Sequence, residues 1–409
     1  MRRPSVRTPR VLLLAACVLA ACSSAEADER HRIEHEQAQA RAVAERAAER
    51  KAAEAAAFAA AQAEAAAAAE AAAVSAAAAA ATPAAFAPAV VPLPADPADY
   101  APIERYEAMA IPADNPLTPE KAALGKQLYF DKRLSGDGQL ACYSCHVCEK
   151  GLTDGKALAQ GAFGKPLTRS APTMWNIGYH WALYWDGRSP TLEKQAAAAW
   201  TGANMGAKDK AAEILATLNA TPGYAAQFQA AFGGPATEET LAKALASYMR
   251  TIISDDTAWD RWQKGDQSAL SDAAKRGYAV FQAKGCAECH AGVLLTDQQF
   301  YNVGIGMTAA TPDVGRFKVS NVEKDTGAFK TPTLRDISQS APYFHDGSVA
   351  TLEAAVDQML AGGLDNPHLN REKLKKQEVT PQERADLLEF LKSLDQPCDG
   401  TPPALPPGV

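Results

Sequence analysis

Cys142-Tyr143-Ser144-Cys145-His146 and Cys286-Ala287-Glu288-Cys289-His290 are two copies of one pentapeptide pattern in this chain of 409 residues. Cys-x-x-Cys followed directly by His is the attachment signature of c-type haem, in which two thiols bond to the porphyrin and the imidazole ligates iron. A bare Cys-x-x-Cys can instead bind zinc or form a redox disulfide. The adjacent His in both copies, together with an export signal, favours haem. We therefore predict two covalently bound haem c groups, with His146 and His290 as proximal ligands.

The first 22 residues have the pattern of a bacterial lipoprotein signal peptide. Four arginines precede an apolar run, 11–21, that is too short to span a bilayer. Leu19-Ala20-Ala21-Cys22 resembles a lipobox, which would make Cys22 the lipidated first residue of the mature protein. A weaker copy ends at Cys17, and an ordinary secretory signal cut nearby is the alternative. The pattern predicts a periplasmic protein that contacts the outer membrane only through its lipid anchor.

An Ala-rich segment, 23–102, follows the signal peptide. Its stretch 29–81 contains Ala with Glu, Arg and Gln but no Gly or Pro, a composition that favours helix. It has almost no large apolar residues, so it cannot build a core. Prolines between positions 83 and 97 then extend the linker. We predict a helical or disordered tether. A coiled-coil oligomerisation stalk is the alternative, weakened by the lack of a sustained heptad, and a homodimer is left open.

The rest of the chain is long enough for two small domains, each with one haem motif. Helix signals include the capping box Thr380-Pro381-Gln382-Glu383, and no alternating run predicts a substantial sheet. The predicted fold class is mainly α, with two cytochrome c-like haem domains packed around their haems. The expected bounds are 103–262 for the N-terminal domain, 263–397 for the C-terminal domain and 398–409 for the tail.

The formal net charge of −7 bears on the partners. This acidic balance, without a basic run in the haem domains, gives no sign of nucleic-acid binding. A small, basic electron-donor protein, such as a cytochrome c or a cupredoxin, would be complementary in charge.

The chain resembles the bacterial dihaem cytochrome c peroxidases and their relative MauG, a dihaem enzyme that modifies tryptophan, over nearly all of 103–396. The segments that carry the resemblance are LGKQLYFD (124–131), WDGR (185–188), YMRTI (248–252), FKTPTLR (329–335) and PYFHDG (342–347). Asn366-Pro367-His368-Leu369 is more similar to the MauG side of the family.

The resemblance implies that the second haem is the electron-transfer centre, with Met359 as its second axial ligand. MauG-type proteins have Tyr at that place. A thioether ligand stabilises ferrous iron and raises the reduction potential. Met307 is the competing sulfur, and a core residue on an amphipathic helix is the alternative interpretation of Met359.

The resemblance also implies that the first haem reacts with peroxide. In many of the peroxidases a His in the following loop closes the distal face, but the corresponding loop here, 160–164, has no His. We therefore expect an open iron site, with His180 as the nearby imidazole that could oppose this expectation. The family uses a distal Gln and Glu; Gln195 matches the first, whereas Asn204 replaces the second and cannot shuttle a proton. A carboxylate such as Glu193 could substitute.

Three further predictions concern the region between the haems and the remaining cysteines. Trp185 matches the family's bridging tryptophan, a candidate relay for electrons. The family's calcium site corresponds to Ser170, Ser340 and Pro342, so calcium is a possible second cofactor. Cys148 and Cys398 are left over in an oxidising compartment, where a disulfide or two separate thiols would both be compatible with the sequence.

Together these patterns predict an oxidoreductase of the cytochrome c peroxidase type. It would reduce hydrogen peroxide to water with electrons from a small periplasmic donor. One alternative is a MauG-like oxidase that modifies a Trp or Tyr of a partner protein. The other is a non-catalytic electron carrier or redox sensor.

Overall fold

The computed structural model describes Met109 and residues 111–407. Cys22, the signal peptide and the Ala-rich tether lie outside the described residues. Within 111–407 no helix has the length and apolar character needed to cross a bilayer. The helices are α1 Pro119–Phe130, α2 Leu192–Thr201, α3 Ala211–Ala220, α4 Pro222–Phe232, α5 Glu238–Met249, α6 Ala258–Gln263, α7 Asp272–Ala283, α8 Phe317–Ser320, α9 Leu352–Leu360 and α10 Pro381–Lys392. A short antiparallel pair joins β1 Phe300–Tyr301 to β2 Phe329–Lys330.

The first domain is built on the crossing of α1 and α5. Thr118 caps α1 by accepting a hydrogen bond from the Lys121 backbone, and Pro119 occupies the first helical position. A Cβ at Gly125 would overlap the Ala244 carbonyl, so the two helix backbones approach as closely as only glycine permits. Fully buried side chains of the surrounding core include Leu124, Leu128, Tyr129, Trp200, Tyr224 and Phe228.

The second domain repeats this arrangement with α7 and α10. A Cβ at Gly277 would overlap the Asp386 carbonyl, as at the first crossing. Helix α6 packs with this second core, because Trp259 lies among its buried residues. Its neighbour Asp260 forms a buried ion pair with Arg335. Helix α6, which spans the boundary expected at 262, therefore packs with the second domain.

The C-terminal tail returns to the first domain. A disulfide joins Cys148 to Cys398, with a Cα–Cα distance of 5.6 Å. Further along, the Arg133 guanidinium donates to the Pro406 carbonyl at 2.9 Å. The predicted tail thus connects the end of the second domain to the surface of the first.

Two segments of the chain have the same local structure. We name them the first repeat (170–199) and the second repeat (330–359); they are offset by 160 positions without insertion or deletion. Residues shared at equivalent positions are Pro172 and Pro332, Thr173 and Thr333, Ile177 and Ile337, Asp186 and Asp346, Gly187 and Gly347, Thr191 and Thr351, Leu192 and Leu352, and Glu193 and Glu353. Antiparallel bridges also recur, between Leu183 and Ser189 and between Tyr343 and Val349.

The repeats meet across the domain interface through one hydrogen bond made twice. The Ser170 N–H donates to the His345 carbonyl, and the Lys330 N–H donates to the Trp185 carbonyl, both at 2.8 Å. Positions 170 and 330 are equivalent, as are 185 and 345. A local pseudo-two-fold axis therefore relates the two repeats, and differences between equivalent side chains mark where the two domains diverge.

Candidate functional site

Each pentapeptide motif begins with a short 3₁₀ turn, Cys142–Ser144 in the first domain and Cys286–Glu288 in the second. The four motif thiols are free in the structure. Burial raises the pKa of Cys142 to about 12 and the pKa of Cys286 to about 11. Uncharged thiols in partly buried surroundings suit attachment of a largely apolar porphyrin.

Both motif histidines are oriented in the same way. The Nδ1 of His146 lies 3.0 Å from the Leu152 carbonyl, and the Nδ1 of His290 lies 3.1 Å from the Leu295 carbonyl. Donation from Nδ1 leaves the lone pair of Nε2 available for iron. Burial lowers the pKa of both imidazoles, so both are neutral at physiological pH, as a metal ligand must be.

The repeats hold the peptide that immediately precedes each of these two leucines. Leu152 and Leu295 have left-handed backbones, with φ of 59° and 51°. The Thr173 hydroxyl donates to the Gly151 carbonyl, and its equivalent Thr333 donates to the Leu294 carbonyl, both at 2.7 Å. The proximal side of the two sites is therefore the same structure built twice.

The second motif opens onto a cavity of about 310 Å³ that is lined by Cys286, Cys289, His290 and Met359. Apolar side chains on its wall include Phe281, Leu352, Val356, Leu360 and Leu391. Met307, the competing sulfur, does not line this cavity and packs against Gly327. An apolar slot with one imidazole and one thioether fits a His–Met haem. The ligand role of Met359 stays a prediction, now with its side chain at the cavity wall.

The first repeat has alanine where the second repeat has this methionine. Ala199 on α2 is the equivalent of Met359 on α9, and both are half-buried. An alanine methyl has no lone pair and cannot ligate iron. One turn earlier on the same helix, Gln195 occupies the position of Ala355. Compared with α9, helix α2 therefore lacks the thioether and has a polar amide instead of a methyl group. This difference agrees with the expected open site, whose ligation state stays a prediction.

The loop 160–164 contacts both the first haem motif and Asn204. The Cys145 sulfur lies 4.0 Å from the Gln160 carbonyl, and the Ala162 N–H donates to the Asn204 carbonyl at 3.1 Å. At the loop tip, the Phe163 N–H donates to Asp137 at 2.6 Å. The structure thus brings Asn204 close to the first haem motif through this loop.

Glu193 is already used in an ion pair. Its carboxylate accepts from the Arg250 guanidinium at 2.7 and 3.2 Å and from the Asn115 amide at 2.7 Å. Burial alone would raise the pKa of Glu193, but these two partners outweigh it and hold the pKa below its usual value. The hypothesis that Glu193 replaces the missing distal acid is therefore not supported, because the carboxylate stays ionised and both of its oxygens already accept hydrogen bonds.

The predicted relay and calcium positions share one surface. The cavity of the second motif extends to Trp185, Ser170, Ser340 and Pro342. The Trp185 indole donates to the Ser170 carbonyl at 3.0 Å, and the Ser170 hydroxyl donates to the Phe344 carbonyl at 2.9 Å. The structure brings these residues together at the domain interface, where the calcium positions would supply neutral oxygens.

A polar pair at the same interface was missed by the sequence reasoning. The Lys330 ammonium lies 2.7 Å from Nδ1 of His180 and donates to the Ala182 carbonyl at 2.6 Å. For His180 the sequence left two interpretations, a haem ligand or a loop residue held by a hydrogen bond, and the structure shows the hydrogen bond; Lys330 was not singled out. Their equivalents in the opposite repeats are Ser340 and Ser170, so aligning the repeats would have marked both positions.

The paired motifs, the helix crossings and the repeats define a two-domain c-type cytochrome with two haem c groups. The family model described as di-haem cytochrome c peroxidase matches residues 119–268, and the cytochrome c model matches 274–395. The methylamine utilization protein MauG of Methylorubrum extorquens is 41% identical, covering 75% of this chain and 87% of the relative. The cytochrome-c peroxidase IdrP1 of Denitromonas iodatirespirans is 38% identical, covering 76% and 92%.

A solved structure shows the same family similarity. A MauG-like protein associated with microbial copper homeostasis superposes with a TM-score of 0.65 and 34% identity, covering 71% of this chain and 94% of that one. The chain belongs to the bacterial dihaem cytochrome c peroxidase and MauG family. The predicted resemblance is thereby confirmed.

Proposed function

We propose that this protein reduces hydrogen peroxide to water with electrons from a small periplasmic donor protein. The observation that supports it best is the difference between equivalent positions 199 and 359. Helix α2 carries alanine at this position and would leave room beside a bound haem, whereas α9 carries a thioether that could ligate iron. A peroxidase with two haems needs this division, because one centre must admit peroxide while the other stores an electron.

When bound, haem supplies an iron that accepts and donates electrons and can bind peroxide. His146 would hold the first haem, and His290 with Met359 would hold the second. The Gln195 amide can orient peroxide by hydrogen bonding. Asn204 can also donate and accept hydrogen bonds, but it transfers no proton at neutral pH. Protons for the departing water would therefore come through solvent, at a cost in rate.

Trp185 is proposed as the relay between the two centres. Its indole lines the cavity of the second motif and is fixed by its hydrogen bond to the Ser170 carbonyl. Its backbone is fixed from the other domain, because the Lys330 N–H donates to the Trp185 carbonyl. Because both domains fix Trp185, its indole can pass an electron between the two haems without a movement of the domains.

A second candidate function is oxidation of a Trp or Tyr side chain on a partner protein. The observation that favours it is Trp181, which is 51% exposed and lies on the same loop as Trp185. Its ring contacts Phe300 edge-on, with centroids 5.9 Å apart. A surface tryptophan four residues from the proposed relay gives electrons from a docked protein a place to enter.

The deciding experiment is stopped-flow addition of hydrogen peroxide to the holoprotein, with and without reduced cytochrome c. Catalytic oxidation of the cytochrome supports the peroxidase proposal. A long-lived absorbance change without turnover supports oxidation of a protein substrate. No absorbance change at either haem would overturn both proposals and leave an electron carrier or sensor. Cytochrome c with peroxide alone is the control.

Three further proposals concern calcium, the lipid anchor and the oligomeric state. Ser170, Ser340 and Pro342 line one cavity but offer only neutral oxygens, so calcium would bind weakly. Metal analysis before and after chelation tests this site. We place the protein in the periplasm, anchored through Cys22 to the outer membrane, and Cys22→Ala should release it in membrane fractionation. Sedimentation of the full chain tests for a homodimer.

A further inference from the structure

Lys330 is a buried cation with neutral partners. Its residue is 8% exposed, and its ammonium contacts Nδ1 of His180 and donates to the Ala182 carbonyl. Burial lowers the pKa of Lys330 to about 7, and no charged group offsets that effect. Buried cations are stable when they are paired with an anion. Among the described residues, two acceptors face the ammonium group and none faces its third proton.

His180 presents a second donor beside it. Since the Lys330 ammonium donates to Nδ1, the imidazole proton resides on Nε2. That Nε2 is buried and has no hydrogen-bond partner among the described residues. Both side chains line the cavity that contains His290. A cation and an orphaned N–H donor therefore point to an acceptor that is anionic and reaches this cavity.

The haem of the second motif brings such an acceptor. Haem c carries two propionate carboxylates, which only accept hydrogen bonds when ionised. The rest of the cavity wall is largely apolar apart from three other lysines, Lys284, Lys373 and Lys375. We propose that Lys330 and His180 bind a propionate carboxylate of the second haem and thereby raise its reduction potential. The inference rests on haem attachment at His290 and not on the peroxidase proposal.

The pseudo-symmetry explains why the increase in reduction potential would be confined to the second haem. The equivalents of Lys330 and His180 are Ser170 and Ser340, which carry no charge. A cation beside a propionate favours the reduced iron, because it neutralises negative charge that would otherwise stabilise the ferric state. The second haem thus gains an electrostatic advantage as the electron reservoir that the first haem lacks.

The test is a spectroelectrochemical titration of both haems in the holoprotein. Lys330→Met keeps the length of the side chain and removes its charge; it should shift the second-haem equilibrium about tenfold toward the oxidised form, or about 59 mV for one electron. Lys330→Arg should retain most of the parent potential. Lys284→Met is the matched control, because Lys284 lines the same cavity but donates to the Glu378 carbonyl at 2.7 Å.

An unchanged second-haem potential in Lys330→Met would overturn the inference, as would an equal shift in Lys284→Met or a shift of the first haem alone. If Lys330→Met fails to retain haem, the second-haem potentials of His180→Phe and His180→Gln test the same inference. The first removes the donor and should lower the potential, whereas the second keeps an N–H donor and should not; identical potentials would contradict the inference. Absence of peroxidase turnover would not affect these readouts.

Discussion

The first and second repeats have nearly the same backbone and different chemistry. Asn176 and Asp336 both have φ of 55°, and α2 and α9 both begin after a capping threonine. The differences lie in side chains near the sites, above all Ala199 against Met359 and Gln195 against Ala355. The comparison shows one proximal scaffold built twice, and under the proposed function the residues of α2 and α9 would give the two irons different roles.

The largest expected effect comes from giving the second repeat the residue of the first. Met359→Ala removes the proposed thioether, so the second haem should change from low-spin to high-spin in its paramagnetic resonance spectrum. Turnover with an electron donor should fall on the order of 100-fold, because the storage centre loses the ligand that raises its potential. Met307→Ala is the control and should leave the spectrum unchanged. A low-spin second haem in Met359→Ala would refute the assignment of this ligand.

The converse substitution, Ala199→Met, tests the open site. A thioether at this position should ligate the first iron, convert it to low-spin and slow its reaction with peroxide by at least about tenfold. Ala198→Met is the matched control, because Ala198 lies on the same helix but is exposed to solvent. Equal peroxide rates in the two variants would show that position 199 does not face the iron.

Asn204→Glu restores the proton-transferring group of the family. Peroxide reduction should accelerate by up to about 100-fold, the lower range for general acid–base catalysis. Asn204→Gln has the same length as the glutamate variant but no acid, so it should give no gain. The second-order rate constant for peroxide is the measurement. Acceleration by both variants would indicate a steric rather than a proton-transfer effect.

Arg335 forms a stabilising contact that the first repeat lacks. It forms a fully buried, two-point ion pair with Asp260 at 2.7 and 2.8 Å, whereas its equivalent, Trp175, is an uncharged core residue. Arg335→Met strands the Asp260 charge and should lower the free energy of unfolding by about 3–5 kcal/mol. Denaturant unfolding followed at the haem absorbance measures this loss. Arg276→Met removes the solvent-exposed arginine of the Arg276–Asp386 pair and should have a smaller effect, because the buried carboxylate keeps its hydrogen bond from the Gln382 amide.

The smallest expected effect is a pH-dependent change in the free energy of unfolding caused by Asp336, whose equivalent in the first repeat is Asn176. Burial raises the pKa of Asp336 from 3.8 to about 7. The folded state therefore favours the protonated carboxyl, so its contribution to stability is greatest below about pH 4 and is lost as the pH rises to about 7. Asp336→Asn should remove this loss and raise the free energy of unfolding on the order of 1–3 kcal/mol at pH 8. Unfolding measured from pH 4 to 8 tests it; parallel curves for parent and variant would contradict the assignment.

Features encoded by neighbouring residues could be predicted from the sequence. The haem motifs are five residues long, and the capping box at Thr380 correctly predicts a helix at Pro381–Lys392. The mainly helical fold with two cytochrome c-type domains is confirmed. Pairings over long distances could not be predicted: Glu193 was a candidate acid until Arg250 was found beside it. The sequence left Cys148 and Cys398 as either partners or separate thiols, and only their proximity in space decides between them.

The sequence alone determined that this protein attaches two haems, because covalent attachment and proximal ligation need only adjacent side chains. It also contained the alanine at 199 and the methionine at 359, at a constant offset of 160 positions within the two repeats. The tertiary structure confirmed the equivalence of the repeats through their recurring bridges, and it brought Lys330 to His180 across 150 positions of chain. Packing two copies of one scaffold around a pseudo-two-fold axis creates contacts that no local pattern encodes, and those contacts distinguish the two sites.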